Sequence, residues 1–422
     1  MAKRPSSSAK PLSQESTDKR PVFGDDRWNS YWRQRGFVAP DIRSFPDPRQ
    51  DRQFLRYFHL LREKFGFVRF IGIPTQGNPE DTPLESLYVE PVLSETRIDP
   101  SRPEVDGAVT TPLIDAVVDN PRLVVLGDPG SGKSTLISWL VMNLISHEPT
   151  RFKQRAGPLV PIPLILRELE LENDGLGDVS WARLLKQFLA HPIGQALGSL
   201  ADVESLLLQG RAIVFIDGID ELPTRVTRRR VVESIQRAFL DFSRVRCVAT
   251  SRVVGYDECP LDVMRLEVPS NVPKPRWTLE DRIPEEDIRA HAPDPEAWLE
   301  ARNSRLGGTR SLVAQVATRM IVAPFDDARI ALFVRNWNAR HETDSTVREA
   351  RSTELIQAIH RSPSVVALAR VPNLLTMIAL VYRVYLKLPD GRALLYERIA
   401  QAYLESIDTA RGSPRRDTRS KT

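Results

Sequence analysis

Alternating apolar and polar segments predict a sheet of parallel strands in the middle of the chain. From about residue 106 to 324, short apolar runs alternate with stretches in which apolar residues recur at helical spacing. This alternation is typical of a parallel sheet with helices on both faces, and so of an α/β fold. The runs predicted to be strands are 123–126, 159–166, 212–217, 247–250 and 320–323. The helices predicted among them are 133–145, 181–190, 201–208 and 229–242.

Beyond Pro324 the pattern becomes helical throughout. Asp326 and Asp327 are suited to cap a helix, and the apolar residues behind them recur at i, i+3, i+4 and i+7, as on one buried helix face. Further helices are predicted at 346–359, 374–385 and 393–407. We therefore predict that residues 325–408 form a helical subdomain that follows an α/β core at 106–324.

The segments outside these two regions differ in composition. Residues 1–22 and 409–422 are basic and polar, which is typical of disordered tails. Between the first tail and the core, residues 23–105 are predicted to hold a helix at 51–65, extended stretches at 67–73 and 86–93, and a proline-containing linker at 99–105. Inside the core, residues 257–315 are rich in proline and charge with little periodicity, and we interpret them as an insertion.

Composition and charge exclude several classes of protein. Of the 422 residues, 41% are apolar and 27% are charged, as in ordinary globular proteins, and no apolar run approaches the ~18 residues of a membrane span. With two cysteines and no secretory signal at its start, the chain is expected to be cytoplasmic and free of disulfides. The net charge of +4 is concentrated in the two tails, which leaves the body slightly acidic. A nucleic-acid groove is therefore not indicated, and no membrane partner is expected.

The strongest chemical motif follows the first predicted strand and opens a helix. It reads GDPGSGKST, fits the pattern GxxxxGK[ST], and consists of Gly127, Asp128, Pro129, Gly130, Ser131, Gly132, Lys133, Ser134 and Thr135. Glycines let backbone N–H groups surround phosphates, and the N-terminus of the helix adds partial positive charge. In such a loop Lys133 is expected to reach the β- and γ-phosphates of a nucleotide, and the Ser134 hydroxyl to ligate Mg²⁺.

A second motif places three acidic residues after the third predicted strand, in the segment IVFIDGIDEL. Asp217 ends the apolar run, where a carboxylate downstream of a phosphate loop is placed to hold Mg²⁺. Crowded carboxylates need a cation or a proton to offset their repulsion. We expect Asp217 to serve the metal, while Asp220 or Glu221 polarises the attacking water.

Arg252 ends the next strand, in the sequence TSR. If that strand lies between the two just described, its carboxyl end faces the γ-phosphate, and Arg252 is placed to sense that phosphate. The chain has neither the Asn-Lys-x-Asp motif of guanine-specific proteins nor the LSGGQ signature of transporter ATPases. Its six histidines show no metal-site spacing.

Taken in order, the motifs resemble those of the NACHT family, signalling ATPases of the STAND class of P-loop NTPases. The resemblance rests on GDPGSGKST, FIDGIDELP, VATSRVVGY, APFDDARIALFVRNW, LARVPNLLTMIALVYR and LPDGRALLYERI, and on RFIGIP and PLESLYVEPVL before the loop. It is similar to bacterial members linked to anti-phage defence and to animal NOD-like receptors. The resemblance implies a P-loop NTPase fold with its five parallel strands in the order 5-1-4-3-2.

The resemblance also implies roles for individual residues. The loop from Gly127 to Thr135 would bind the phosphates, Asp217 with Ser134 would hold Mg²⁺, and Pro372 would touch the adenine, although the usual Asn-Pro-Leu-Leu-Leu is here Val-Pro-Asn-Leu-Leu. The acidic pair Asp220 and Glu221 would support hydrolysis and Arg252 would sense the γ-phosphate. Family members are slow ATPases that act as switches: they are closed with ADP and self-associate with ATP.

The chain also departs from the family pattern. Members usually continue into a winged-helix domain and a sensor region, and carry an effector domain at the other end; we expect these on a partner protein, unless the gene product is truncated. The leading hypothesis is a nucleotide-controlled oligomerisation switch in bacterial defence or signalling. One alternative is a non-hydrolysing interaction module that nucleotide stabilises. A small-molecule kinase is disfavoured, because no arginine-rich lid follows the loop.

Overall fold

The structure is a computed structural model that describes residues 52–68, 82–100, 109–169, 179–268, 310–389, 393–398 and 400. The predictions for the two tails, for most of the extended stretch 67–73, for most of the linker 99–105 and for the end of the helix at 393–407 lie outside these residues. Most of the segment interpreted as an insertion also lies outside them.

A seven-stranded sheet forms the centre of the fold. Its strands are β1 (Val92–Ser94), β2 (Thr110–Pro112), β3 (Arg122–Leu126), β4 (Val160–Ile165), β5 (Ala212–Asp217), β6 (Arg246–Ser251) and β9 (Thr318–Val322). They lie in the order β2-β1-β9-β3-β6-β5-β4, and the last five are mutually parallel. This confirms the predicted order 5-1-4-3-2. All residues of β3, β4 and β5 are buried, as expected of strands covered on both faces.

The predicted sheet lacked two strands at one edge. β1 pairs antiparallel with β9 and with β2, so the sheet extends beyond the five parallel strands. The stretch 86–93 was predicted to be extended, but a helical turn, α2 (Leu84–Leu87), precedes β1, and only the end of the stretch joins the sheet. Pro91 interrupts the stretch and has no N–H to donate to a ladder, which explains why the strand starts only after it.

Helices flank the sheet and connect its strands. They are α1 (Arg52–Phe65), α3 (Leu113–Asp119), α4 (Lys133–Ile145), α5 (Arg151–Ala156), α6 (Trp181–Ala190), α7 (Pro192–Leu197), α8 (Leu200–Gln209) and α9 (Arg225–Asp241). Side-chain oxygens of Ser180, Ser199 and Thr224 cap α6, α8 and α9 by accepting hydrogen bonds from backbone N–H groups of the first turn. α1 is tied to the sheet by the buried Tyr57 hydroxyl, which donates to the Pro161 carbonyl oxygen.

The ends of the segment interpreted as an insertion are regular. β7 (Val263–Val268) and β8 (Arg310–Gln315) pair antiparallel along six residues each, in a separate two-stranded sheet. Periodicity did not reveal these strands. The chain then enters β9 directly, so the segment leaves and rejoins the core through one pair of neighbouring strands.

A helical subdomain follows the sheet, as predicted. It contains α10 (Asp327–His341), α11 (Ser345–His360), α12 (Pro363–Ala369) and α13 (Pro372–Tyr385), and residues 393–398 are helical too. Its apolar core also takes in Leu87 and Val89 from the segment before β1. Phe325 and Arg370 link it to the end of the sheet through a backbone hydrogen bond of 2.9 Å and a bond from Arg370 Nη1 to the Phe325 carbonyl oxygen.

Within the described ranges, no single helix combines the length and apolarity of a membrane span. The consecutive helices α12 and α13 reach that length only together, and they meet at an angle of 119°. Most of the apolar residues of both helices are buried in the core of the helical subdomain.

Candidate functional site

Most of the residues predicted to bind nucleotide line one cavity at the carboxyl edge of the sheet. β3, β5 and β6 are adjacent and parallel, so the segments that follow them emerge side by side. The cavity has a volume of about 400 Å³, within the range of small-molecule sites. The predicted residues that line it are Pro129, Gly130, Ser131, Gly132, Lys133, Ser134, Thr135, Asp217, Asp220, Glu221, Arg252 and Pro372.

Gly127 and Asp128 do not line the cavity, but they shape the loop that does. The Gly127 N–H donates to the Ser251 carbonyl oxygen at 3.2 Å, which continues the β3–β6 ladder into the loop. A Cβ at position 127 would lie 2.3 Å from Ser131 Oγ, so any larger residue there would force the Ser131 side chain to move. Gly130 and Gly132 have φ values of +80° and +88°, which other residues rarely adopt.

The N-terminus of α4 is suited to an anion. α4 has 13 residues, and no side chain among the described residues caps its first turn, which follows the left-handed Gly132. The buried Ser131 Oγ has no hydrogen-bond partner in the described part of the chain. Orphan donors and the partial positive charge of a helix N-terminus favour bound phosphate or another anion.

Lys133 adds a full positive charge at the same place. Its Nζ donates to the carbonyl oxygens of Gly127 at 2.7 Å and Asp128 at 3.2 Å, so the ammonium group lies over the loop. Burial lowers the pKa of Lys133, and the negative charge of Asp220 opposes that shift. A partly desolvated cation is a strong partner for a phosphate group, because little water is left to compete.

Thr250 fixes the carboxylate of Asp217, which is buried at the end of β5. The Thr250 Oγ1 hydroxyl donates to Asp217 Oδ1 at 2.6 Å and accepts a hydrogen bond from the Gly218 N–H at 3.1 Å. A buried carboxylate in a fixed orientation is what a metal ligand requires. Sequence reasoning identified Asp217 but not this partner; the available signal was a hydroxyl residue near the end of the strand next to β5.

Asp220 and Arg252 form an ion pair. Arg252 Nε lies 2.8 Å from Asp220 Oδ2, and the Arg252 backbone N–H donates to Asp220 Oδ1 at 3.0 Å. Arg228, from the first turn of α9, donates from Nη2 to the backbone carbonyl oxygen of Asp220 at 3.0 Å. The turn that carries Asp220 is thus held from β6 and from α9.

Two further ion pairs join predicted site residues to arginines that sequence reasoning missed. Arg167, in the turn after β4, contacts Glu221 at 3.2 Å. Arg97, after β1, donates to both carboxylate oxygens of Asp128 at 3.1 and 2.9 Å. These partners are 54 and 31 residues apart, a separation that no local sequence pattern encodes.

The helical subdomain meets the phosphate loop at the start of α13. Pro372 lines the cavity, and the backbone N–H of Asn373 donates to the Gly130 carbonyl oxygen at 3.2 Å. A Cβ on Gly130 would lie 3.2 Å from the Asn373 Cβ and 3.4 Å from Val371 Cγ1. The loop and the subdomain are therefore in direct contact at the predicted site.

Part of the cavity lining is apolar and includes a segment that was not predicted to belong to the site. These apolar lining residues include Leu84, Leu87, Tyr88, Val89 and Pro91 from the segment before β1, with Phe325 and Phe333 from the start of the helical subdomain. Tyr88 stacks on Trp139 of α4, with ring centroids 4.6 Å apart. The cavity lining thus combines anion-favouring groups with apolar side chains.

The donors near Lys133 fit Mg²⁺ better than a softer metal. The Ser134 hydroxyl and the Asp217 carboxylate line the same cavity and offer hard oxygen ligands. The residues that the structure describes contain no group of three or more His, Cys, Asp or Glu side chains that could hold a metal by themselves. A site with few protein oxygens suits Mg²⁺, which keeps several waters and shares phosphate oxygens.

Comparison with protein families gives one match. The family model described as the NACHT domain matches residues 121–271, which contain the phosphate loop, the Asp217 turn and Arg252. The match does not extend to the segment before β1 or to α13. The search of curated proteins returned no match. The agreement of this family match with the fold and the cavity shows that the chain carries a NACHT domain, which is a nucleotide-binding P-loop NTPase domain.

Proposed function

We propose that the chain binds ATP and ADP with Mg²⁺ in this cavity and hydrolyses ATP slowly as a nucleotide-controlled switch. The observation that carries the proposal is the convergence, on one cavity, of the phosphate loop, the acidic turn, Arg252 and the start of α13. These segments are far apart in the sequence, and each supplies a different part of what a nucleotide requires.

The cavity lining offers groups suited to both parts of a nucleotide, the phosphates and the base. Backbone N–H groups at the start of α4, together with Lys133, would hold the phosphates. The apolar part of the lining, which includes Pro372, Tyr88 and Val89, would receive the base. Ser134 and Asp217 would hold Mg²⁺, which neutralises negative charge on the phosphates when bound.

Hydrolysis requires a water molecule to attack the γ-phosphorus. The bond between that phosphorus and the β–γ bridging oxygen breaks, ADP leaves with the electron pair, and the proton of the water passes to a base. Asp220 and Glu221 both line the cavity and are the candidate bases. Arg252 also lines the cavity, and its positive charge would stabilise the negative charge that develops on the phosphate oxygens in the transition state.

The contact between the phosphate loop and α13 supports a switch. Because Gly130 accepts a hydrogen bond from Asn373, a change in the loop on nucleotide exchange alters a contact that orients the helical subdomain. Reorientation would uncover surface for self-association or for a partner protein. A role in defence against phage stays a prediction of the family resemblance.

The first test is the nucleotide that copurifies with the protein. Lys133→Ala removes the charged group of the loop, and we expect the variant to lose bound nucleotide that the wild type retains. Lys186→Ala is the matched control, because Lys186 is exposed on α6 and does not line the cavity. Equal amounts of ATP or ADP in wild type and Lys133→Ala would contradict the site.

A second candidate function is a module that binds nucleotide without hydrolysing it. The observation that favours it is that both candidate bases are held by arginines, Asp220 by Arg252 and Glu221 by Arg167. Phosphate release from bound ATP in a single turnover distinguishes the two functions. If the wild type releases phosphate and Glu221→Gln does not, the result supports the ATPase. If the wild type retains intact ATP for hours, the result supports the binding module.

A further inference from the structure

We infer that Asp220 is a positioning residue: it orients Arg252, already expected to sense the γ-phosphate, and thereby increases the preference of the site for a nucleoside triphosphate over a diphosphate. The inference rests on the proposed function and assigns different roles to the two acidic residues of the turn. Glu221 remains the candidate base, while Asp220 acts through the arginine that it holds.

The geometry of Asp220 favours this role over that of a base. Each of its two carboxylate oxygens is bonded to Arg252, one to the backbone N–H at 3.0 Å and the other to Nε at 2.8 Å. The side chain is 11% exposed, compared with 32% for Glu221. A general base must offer an oxygen to a water molecule, and the more accessible Glu221 has a single arginine contact on Oε2.

The backbone around Asp220 is fixed as well as its side chain. Gly218, which starts the turn, has φ +82° and donates from its N–H to Thr250 Oγ1. Arg228, on α9, donates to the carbonyl oxygen of Asp220. Asp220 is therefore a rigid acceptor, and rigid acceptors are suited to orienting a long side chain.

Arg252 needs such an acceptor, because its side chain is 53% exposed at the end of β6. A free arginine samples many rotamers, and holding it in one of them has an entropic cost. Pairing through Nε leaves the two terminal amino groups of the guanidinium, which can contact phosphate oxygens in a fork. Because Arg252 is already oriented, fewer of its rotatable bonds lose freedom when the additional phosphate of a triphosphate binds.

The pair therefore contributes to the affinity for ATP more than to that for ADP. Removing the carboxylate in Asp220→Ala should lower the ratio of ATP to ADP affinity by about three- to tenfold, the effect of one side chain that must be immobilised on binding. Arg252→Ala should lower the same ratio at least as much. Because one residue acts through the other, the double variant should show no further loss.

The experiment measures dissociation constants for Mg²⁺-ADP and for Mg²⁺ with a non-hydrolysable ATP analogue, by calorimetry on nucleotide-free full-length protein. The variants are Asp220→Ala, Asp220→Asn, Arg252→Ala, the Asp220→Ala/Arg252→Ala double variant and Glu221→Gln. Asp220→Asn keeps an oxygen acceptor, so its ratio of ATP to ADP affinity should lie between those of the wild type and Asp220→Ala. This variant also provides a test if Asp220→Ala does not fold. Glu221→Gln should leave the ratio unchanged and stop phosphate release.

Several results would overturn the inference. An unchanged ratio in Asp220→Ala with loss of phosphate release would make Asp220 the base. Additive losses in the double variant would show that Asp220 acts independently of Arg252. If the wild type bound neither nucleotide, the proposed function would fail as a whole; retained ADP binding with an unaltered ratio in the variants would overturn only the inference.

Discussion

The backbone N–H of Asn373, at the start of α13, donates a hydrogen bond of 3.2 Å to the carbonyl oxygen of Gly130 in the phosphate loop. Helix N-termini leave backbone donors unpaired, and no side-chain cap among the described residues serves the first turn of α13. The phosphate loop thus provides an acceptor for the helix that contains Pro372. The NTPase core and the helical subdomain meet at the residues expected to respond to the nucleotide.

Substitution of Gly130 tests this contact. Gly130→Ala should lower the free energy of unfolding by about 1–2 kcal/mol through its positive φ, and further because its Cβ meets Asn373 and Val371 at 3.2 and 3.4 Å. Gly132→Ala is the control, because it has the same φ strain but its Cβ meets no atom of the described residues within 4 Å. Urea unfolding of the nucleotide-free proteins measures the difference.

A third variant isolates the contact with Asn373. In an Asn373→Gly background, the Cβ that Gly130→Ala would meet is gone, so Gly130→Ala should be less destabilising there than in the wild type. Equal effects in both backgrounds, or equal effects of the Gly130 and Gly132 variants, would show that position 130 is not closely packed against α13.

Replacing Thr250 tests how Asp217 is held. Thr250→Val keeps the shape of the side chain but removes the donor to Asp217 Oδ1 and the acceptor of the Gly218 N–H. We expect a loss of about 1–3 kcal/mol in the free energy of unfolding, because buried polar groups are left unpaired, together with weaker Mg²⁺-dependent nucleotide binding. Thr250→Ser retains the hydroxyl and should preserve most of the stability and most of the nucleotide binding. If the Thr250→Val and Thr250→Ser variants behave alike, the hydroxyl does not hold Asp217.

The sequence predicts which segments meet at the carboxyl edge of the sheet, because that arrangement depends on strand topology. Parallel strands bring their carboxyl ends to one edge, so Lys133, Asp217 and Arg252 follow from the order of three apolar runs. The helical subdomain was equally predictable, since the apolar spacing from Ile330 to Trp337 marks one buried helix face.

The edge of the sheet and the rest of the site could not be predicted, because they depend on short strands and on contacts between irregular segments. β1 and β2 have three residues each, too few to show a strand period. Tyr88 and Val89 enter the cavity because the segment around them packs against the helical subdomain, a long-range contact that local pattern does not show. The arginines that hold Asp128 and Glu221 are distant in sequence for the same reason.

The ion pair between Arg97 and Asp128 is expected to make a small, salt-sensitive contribution. Both side chains are more than two fifths exposed, so their coupling in a double-mutant cycle should stay below about 1 kcal/mol at low salt. It should disappear near 1 M salt, where the screening length is about 3 Å. Arg97→Ala, Asp128→Ala and the double variant measure this coupling by urea unfolding, and a large coupling that salt leaves unchanged would be inconsistent with an exposed pair.

The thiol of Cys247 should make stability depend on pH in the alkaline range. Burial raises the pKa of Cys247 from its ordinary value of 9.0 to about 12, and the charge of Arg122 opposes that shift. Above pH 9 the unfolded chain therefore loses the Cys247 proton while the folded chain keeps it. The free energy of unfolding should fall by up to about 1.4 kcal/mol per pH unit between pH 9 and 12.

Comparison with Cys247→Ala isolates this effect from other groups that titrate in the same range. The difference in unfolding free energy between wild type and variant should be constant below pH 9 and change above it. Labelling with a thiol reagent provides a second check: in a Cys259→Ser background, native Cys247 should react far more slowly than the unfolded chain. Rapid labelling of the native protein would show that the thiol is accessible.

The most direct test of the account is a calorimetric titration of Mg²⁺-ADP into protein stripped of nucleotide. We predict saturable binding at one site per chain in the wild type and in Lys186→Ala, and no saturable heat in Lys133→Ala. Absence of binding in folded wild-type protein, or equal binding in Lys133→Ala, would contradict the claim that nucleotide phosphates bind at the start of α4.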